Sequence, residues 1–171
     1  MKHGTDTVDT REQAAWAALA TVLDPEVPVL SVCDLGIVRE VRCDAAGTDV
    51  VLTPTYSGCP ATEVIADGVR LALETAGLGP VTVTHRLAPA WTTDWISQQG
   101  RDRLLAYGIA PPGAACASPG PAPIQLRLHK LACPRCGSLN TERLSAFGST
   151  ACKALHRCLD CREPFEHFKP I

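Results

Sequence analysis

The sequence predicts a small α/β domain followed by a separate, metal-stabilised β-ribbon. Three observations carry this prediction. Helix-like and strand-like segments alternate through the first part of the chain, residues 110–125 are rich in Pro, Gly and Ala, and two Cys-x-x-Cys pairs lie near the end. The chain therefore divides into a flexible N-terminus (1–10), an α/β domain (11–109), a linker (110–125) and a cysteine-rich ribbon (126–171).

The α/β domain should contain two main helices and a sheet of at least three strands. Apolar residues at helical spacing predict the helices, and alternation of apolar and polar residues predicts the strands. In chain order the elements are helix 11–23, strand 37–43, strand 49–55, helix 61–76, strand 81–87 and a short helix 101–107. The first two strands are separated by a short turn and should form a hairpin.

The composition is that of an ordinary globular protein, with 46% hydrophobic and 20% charged residues and a net charge of −2. From residue 126 onward eight Lys and Arg stand against four Asp and Glu, a net charge of +4. This basic segment either offsets the charge of a tetrathiolate metal centre or docks an acidic partner; a nucleic-acid partner is not expected, because the aromatic and basic residues are not interleaved.

No membrane association is expected, and the predicted location is the cytoplasm. The polar first residues carry no apolar export segment. The longest uncharged stretch, 104–126, holds five prolines and three glycines, which a membrane-spanning helix would not contain. Without export, Cys-x-x-Cys pairs indicate metal ligands in a reducing compartment.

The ribbon carries the strongest site prediction. Two Cys-x-x-Cys pairs with about twenty residues between them are typical of a tetrahedral structural zinc site. The predicted ligands are Cys133, Cys136, Cys158 and Cys161. An iron or iron-sulfur site stays open, and Cys152 is a fifth candidate that would replace one ligand, serve a transient iron site or remain a free thiol.

A second candidate site centres on Cys59, which directly precedes Pro60 and a predicted helix. Proline is favoured at the first helical position, and a helix N-terminus stabilises a thiolate. The alternative is a buried cysteine packed against the hairpin. Asp24 and Glu26 are candidate oxygen ligands, although spacing alone favours ordinary surface carboxylates. The thiol of Cys116 is interpreted as incidental.

Two segments of the α/β domain resemble the MIP18 family, also called domain of unknown function 59. Residues 24–38 (DPEVPVLSVCDLGIV) resemble its opening signature, and residues 53–60 (TPTYSGCP) resemble its cysteine motif. The resemblance covers about residues 12–90. It implies an α/β fold and a part in iron-sulfur cluster assembly or carriage.

The rest of the chain resembles the family of D subunits of bacterial phenylacetyl-CoA epoxidase systems. The resemblance rests on residues 91–96 (WTTDWI), 107–112 (YGIAPP) and 147–153 (FGSTACK). It implies a non-catalytic accessory role in aerobic phenylacetate catabolism, in which iron or an iron-sulfur cluster is supplied to a partner subunit, either the reductase or the di-iron oxygenase. The chain has neither the Glu-x-x-His pairs of a di-iron bundle nor a GxGxxG dinucleotide motif.

The resemblance also implies which residues form the site. Cys59 becomes the ligand for labile iron or a cluster, and Asp24, Glu26 and Thr55 should line the same pocket. Tyr56 departs from the small hydroxyl residue that many relatives carry. A homodimer that holds a cluster between two copies of Cys59 stays open, because one thiolate cannot fill the usual four ligand positions. The rival hypothesis is a structural subunit of the oxygenase complex that binds zinc only.

Overall fold

The computed structural model describes residues 5–56, 58, 60–113 and 131–171, with side chains described from residue 10 onward. The chain forms two compact units, Met1–Gly100 and Arg101–Ile171, called here the N-terminal and C-terminal units. The predicted class, a mixed α/β domain and a ribbon, is confirmed. Among the described residues, no helix has both the length and the apolar character that crossing a membrane requires.

The N-terminal unit is a three-stranded sheet with two main helices. Its elements are α1 (Thr5–Leu19), β1 (Val38–Cys43), β2 (Thr48–Leu52), α2 (Thr62–Thr75), β3 (Val81–His85) and a short 3-10 turn (Thr93–Trp95). The strand order is β1-β2-β3. β1 and β2 form the predicted antiparallel hairpin, and β3 runs parallel to β2. The crossover through α2 therefore brings the C-terminal ends of β2 and β3 to the same edge of the sheet.

The first helix begins earlier and ends earlier than predicted. It starts at Thr5, inside the segment 1–10 that was expected to be flexible, and stops at Leu19 rather than residue 23. No Gly or Pro interrupts residues 5–19, and the acidic residues near the start favour a helix N-terminus. At the other end the Thr21 hydroxyl donates to the Ala18 carbonyl at 2.7 Å, an alternative to further helical hydrogen bonding.

The core of the N-terminal unit lies between the sheet and the two helices, which pack on the sheet and on each other. On α2 the buried residues Ile65, Val69 and Leu73 recur every four positions and form one stripe. Val64, which directly precedes Ile65, is 59% exposed. One residue along a helix turns the side chain by about 100°, so Val64 and Ile65 cannot share a narrow stripe.

The C-terminal unit is a four-stranded sheet rather than a single hairpin. Its elements are α3 (Gln98–Tyr107, which begins just before the unit boundary), β4 (Ile109–Ala110), β5 (Thr141–Ser145), β6 (Lys153–Cys158) and β7 (Pro164–Phe168). The order is β4-β7-β6-β5, with β4 parallel to β7. The N-terminal unit ends at Gly100, before the predicted boundary at residue 109, and Ala110, the first residue of the predicted linker, belongs to β4.

Candidate functional site

Four thiols converge beside the C-terminal sheet. The sulfur atoms that lie within 4.8 Å of one another are those of Cys133, Cys136, Cys158 and Cys161. The Sγ–Sγ separations are 3.7 Å for Cys133–Cys161 and 3.6 Å for Cys136–Cys158. A disulfide would bring two sulfurs to about 2.05 Å, so these are separate thiols arranged around one centre. The arrangement fits a bound metal ion, and the structure brings together all four ligands that the spacing predicts.

Each Cys-x-x-Cys pair lies in a tight turn, and the two turns have the same form. In the first, the Gly137 N–H donates to the Cys133 carbonyl at 2.9 Å, and Gly137 has a φ of +74°. In the second, the residue that follows the second cysteine is Arg162, with a φ of +65°. The left-handed conformation is easy for glycine and unfavourable for arginine. The second turn therefore keeps its shape against a local backbone cost.

Backbone N–H groups in the second turn are directed at a ligand sulfur. The amides of Cys161 and Asp160 donate to the Cys158 thiol and lower its pKa to about 7. The thiolate is the form that binds metal, so the turn prepares Cys158 for ligation near neutral pH.

A side-chain bridge joins the two turns. The Asp160 carboxylate accepts hydrogen bonds from the Ser138 hydroxyl and, at 2.8 Å, from the Asn140 side-chain amide. These two hydrogen bonds hold the pKa of Asp160 below its ordinary value. Sequence reasoning had missed Asp160, although its place inside the second Cys-x-x-Cys pair was a usable signal.

The fifth candidate, Cys152, is not part of the cluster. It precedes β6, whereas Cys158 ends that strand. At about 3.3 Å per residue the strand separates the two by about 20 Å. Cys152 is buried, with its sulfur 3.0 Å from the Thr150 hydroxyl. The interpretation of Cys152 as an alternate ligand to this centre is therefore wrong. Cys152 lies at the turn between β5 and β6, whereas the four clustered thiols lie at the opposite end of this hairpin.

The signature loop of the N-terminal unit is organised by Asp24. Its Oδ1 accepts the backbone N–H groups of Glu26 and Val27, both at 2.8 Å, and its own N–H donates to the Leu30 carbonyl. Asp24 is only 7% exposed. Asp24 is therefore not the ordinary surface carboxylate that spacing alone favours, because it is buried and holds the hydrogen bonds of the loop.

A cleft lies at the edge of the sheet where β2 and β3 end. The surface of its wall is apolar, and the residues that line it include Asp24, Thr55, Thr62 and His85. The structure thus brings together Asp24 and Thr55, which were predicted to share a pocket. Glu26 is not among the residues that line the cleft; its backbone N–H instead binds Asp24.

Cys59 lies outside the described residues, as does Cys116. The chain on both sides of Cys59 is described. Thr55 and Thr62 both line the cleft, so the segment that contains Cys59 starts and ends there. The helix cap is Ala61, without a side-chain hydrogen bond, and Pro60 is therefore not the first helical residue as predicted. Helix ends commonly differ from expectation by one or two residues.

Sequence reasoning missed His85 as a member of this cleft. His85 ends β3 and is paired in register with Leu52 at the end of β2. The strand itself was predicted, but its partner was not. Parallel pairing of β2 and β3 is what carries His85 to the edge where Thr55 follows β2.

Among the described residues, the remaining cysteines and histidines stand apart from both sites. Cys43 is buried and Cys33 is partly buried, and burial, with Asp34 nearby, raises the pKa of Cys33 to about 11. His156 and His167 lie 5.5 Å apart between ring centres, and neither belongs to the metal cluster.

Comparison with known proteins matches the first and last parts of the chain to two different families. Residues 12–84 match the family described as iron-sulfur cluster assembly protein, and residues 122–169 match the PaaD zinc beta ribbon domain. A solved structure of the domain of unknown function DUF59 from Bacillus anthracis covers 59% of this chain and 97% of its own, with a TM-score of 0.56 and 25% identity. This likeness supports the fold of the N-terminal unit.

Two curated proteins extend the comparison. An Fe-S protein maturation auxiliary factor from Porphyromonas gingivalis is 37% identical over 83 residues, which is 47% of this chain and 78% of that protein. The putative D subunit of 1,2-phenylacetyl-CoA epoxidase from Escherichia coli is 50% identical over 157 residues, which is 91% of either chain. The chain therefore belongs to the family of 1,2-phenylacetyl-CoA epoxidase D subunits, in which an iron-sulfur cluster assembly domain precedes a zinc β-ribbon.

Proposed function

We propose that this chain is a non-catalytic maturation subunit of a phenylacetyl-CoA epoxidase system, which supplies or inserts iron or an iron-sulfur cluster into a partner subunit. The observation that carries the proposal is the cleft of the N-terminal unit. Both ends of the segment that holds Cys59 line it, together with the buried Asp24 and with His85. Thiolate, carboxylate and imidazole are the ligand types that bind iron in proteins.

In this proposal the cargo is held by few protein ligands. Cys59 supplies the thiolate, Asp24 keeps the signature loop in place beside the cleft, and Thr55 and His85 lie around it. An under-ligated cluster exchanges readily, because thiolates of a recipient protein can displace the donor one at a time. A cluster shared by two copies of the chain would satisfy the remaining ligand positions before delivery.

The proposed metal of the ribbon is zinc, with a structural role. Sulfurs about 2.3 Å from a tetrahedral zinc are separated by about 3.8 Å. The two shortest contacts across the centre, 3.6 and 3.7 Å, are close to that value. Insertion of an iron-sulfur cluster between the thiols would hold them further apart. Because Cys133 and Cys158 are also part of the small buried cluster of the unit, metal binding and folding should be coupled.

The proposed partners are the reductase and the di-iron oxygenase of the same system, and the proposed compartment is the cytoplasm. None of the described cysteines forms a disulfide, which is what a reducing compartment favours. The competing function is a structural subunit of the oxygenase complex. The four-cysteine centre favours it as much as it favours maturation, since both need a folded ribbon.

The test is to co-express the epoxidase subunits with wild-type chain, with Cys59→Ala or with the matched control Cys116→Ala. We expect the partners made with Cys59→Ala to contain less iron and sulfide per protein, and those made with Cys116→Ala to be fully loaded. The variant chain itself should keep its zinc. Full loading of the oxygenase and the reductase with Cys59→Ala would rule out maturation through this thiol and leave the structural subunit.

A second measurement separates stable from transient carriage. Anaerobically purified chain is analysed for iron, sulfide and zinc, and its visible spectrum is recorded. Brown, sulfide-containing protein that loses its colour in Cys59→Ala supports cluster carriage at that residue. Colour that persists in the variant while zinc is absent would assign the cluster to the ribbon cysteines instead.

A further inference from the structure

The hairpin that joins β5 and β6 carries an exposed aromatic side chain at its tip, residues 146–152. Phe147 is 65% exposed there, the most exposed phenylalanine or tryptophan among the described residues from 10 onward. We propose that Phe147 and the neighbouring Lys169 form a docking point for a partner protein with an apolar pocket bordered by carboxylates. This inference rests on the proposed function, since the partner is a subunit that receives the cargo.

The tip is fixed from inside the sheet. The Glu166 Oε1 accepts the backbone N–H of Ser149 at 2.6 Å, and the Glu166 Oε2 lies 2.8 Å from the Lys153 Nζ. The Gly148 N–H donates to the Lys153 carbonyl at 2.7 Å. A Cβ atom at Gly148 would lie 2.6 Å from the Glu166 Oε1, so a larger residue there requires the Glu166 carboxylate, which binds Ser149 and Lys153, to shift.

The ion pair behind the tip is better suited to specifying a conformation than to adding stability. The Lys153 side chain is 5% exposed, and that of Glu166 is 23% exposed. Taking two charges out of water largely cancels their attraction, so buried ion pairs add little net stability. Separating the two side chains, however, would leave a charge without its partner inside the protein, which is costly, so arrangements that break the pair are disfavoured. Here the paired arrangement sets where residues 148 and 149, and hence Phe147, are held.

Phe147 is also held directly. Its N–H donates to the Ser145 hydroxyl at 3.1 Å. The Lys169 Nζ lies 4.5 Å from the centre of the Phe147 ring and donates to the Ala146 carbonyl at 3.3 Å. One face of the ring is therefore covered by a cation, while most of its surface stays in water. An aromatic side chain that is already ordered loses little entropy on binding, which is the property of an interface anchor.

The charge around the anchor indicates the chemistry of the partner. Lys169 places a positive charge beside the ring, with its Nζ 4.5 Å from the ring centre. A pocket that accepts Phe147 and places carboxylates near Lys169 would complement both features. A single aromatic ring offers no stacking platform for successive bases, so a protein fits this surface better than a nucleic acid.

The experiment measures binding of the full-length, zinc-loaded chain to two purified probes, the oxygenase component and the reductase of the phenylacetyl-CoA epoxidase from the same organism. Phe147→Ala removes the anchor, and Gly148→Ala displaces the tip while keeping the ring. Leu139→Ala is the matched control, because Leu139 is also an exposed apolar residue of this unit (54%) but lies outside the tip. Zinc content and circular dichroism confirm that each variant is folded.

We expect Phe147→Ala to bind one probe about 30-fold more weakly, as loss of an aromatic anchor does. Gly148→Ala and Lys169→Glu should also weaken binding, and Leu139→Ala should not. Equal affinity of wild type and Phe147→Ala would overturn the inference, and so would wild type that binds neither probe below about 100 μM.

The experiment distinguishes a failure of the docking inference from a failure of the proposed function. Normal binding by Phe147→Ala together with failed loading by Cys59→Ala would end the docking inference alone. Weak binding by Phe147→Ala together with full loading by Cys59→Ala would end the maturation proposal and leave the docking point in place.

Discussion

Replacement of Asp24 by Ala or by Asn distinguishes two roles of one carboxylate. The Asp24 Oδ1 accepts two backbone N–H groups at 2.8 Å, and the side chain is buried. Ala removes the acceptor and leaves both N–H groups without it, whereas Asn keeps one acceptor oxygen in nearly the same place and replaces the charged carboxylate by a neutral amide. The two substitutions therefore separate the hydrogen bonds from the charge.

The expected magnitude follows from the two bonds. A hydrogen bond to a charged group contributes about 1.5–3 kcal/mol, and partial rehydration of the loop favours the lower end. Asp24→Ala should then lower the free energy of unfolding of the N-terminal unit by about 3 kcal/mol. Asp24→Asn should lower it by less than about 1 kcal/mol, because the acceptor geometry is conserved.

The assay uses the distribution of tryptophan. All three tryptophans, Trp16, Trp91 and Trp95, lie in the N-terminal unit, so their fluorescence reports its unfolding without a contribution from the ribbon. With a urea m-value of about 1.5 kcal/mol/M, the Ala variant should unfold at a midpoint about 2 M lower. If Asn lowers the midpoint as much as Ala does, the charge and not the hydrogen bonding holds the loop, and the reasoning above is refuted.

Three further predictions concern the ribbon. Gly137→Ala should lower the free energy of unfolding of the ribbon by about 1 kcal/mol, and Arg162→Gly should raise it by up to about 1 kcal/mol, because both positions have a left-handed backbone. The urea midpoint of zinc release to a colorimetric chelator measures both changes, and shifts of the same sign in the two variants would contradict the prediction. Removal of the metal with a strong chelator should abolish the near-ultraviolet circular dichroism of the ribbon and leave the tryptophan unfolding midpoint unchanged; a parallel loss of tryptophan signal would show that the two units do not fold independently. Burial opposes ionisation of Glu166, but hydrogen bonds from Lys153 and Ser149 outweigh it and hold the Glu166 pKa below its ordinary value of 4.5. The stability that this pair contributes should be fully present above that value and lost as the pH falls through the lower, folded-state pKa, so Glu166→Gln should flatten the acid limb of ribbon stability, and an unchanged limb would exclude this pair as its origin.

The metal centre could be predicted almost completely, because its information is local. Each Cys-x-x-Cys pair defines its own turn, and at position 137 the chain has a glycine, which adopts a left-handed conformation readily. The second turn has Arg162 at the equivalent position, and an arginine in the sequence does not predict a left-handed backbone. Arg162 adopts it directly after Cys161, at the end of the turn that brings the second pair of thiols to the cluster.

The cleft shows the opposite case. Its polar residues come from a loop, a strand end and a helix start that are far apart in sequence, and Thr55 and His85 meet because β3 pairs in parallel with β2. Recognition of single segments as strands does not say which strand is whose neighbour. For the same reason His85 was overlooked.

The sequence by itself determined the alternation of helices and strands, the four thiol ligands, the family and the candidate thiolate at Cys59, because spacing and short motifs carry each of these. Only the tertiary structure decided that Cys152 lies a full strand away from the metal centre, that β4 joins the ribbon sheet, and that the buried pair of Lys153 and Glu166 fixes the hairpin tip. These features depend on contacts between distant residues, and the free energy of such contacts is defined only once the chain has brought the partners together.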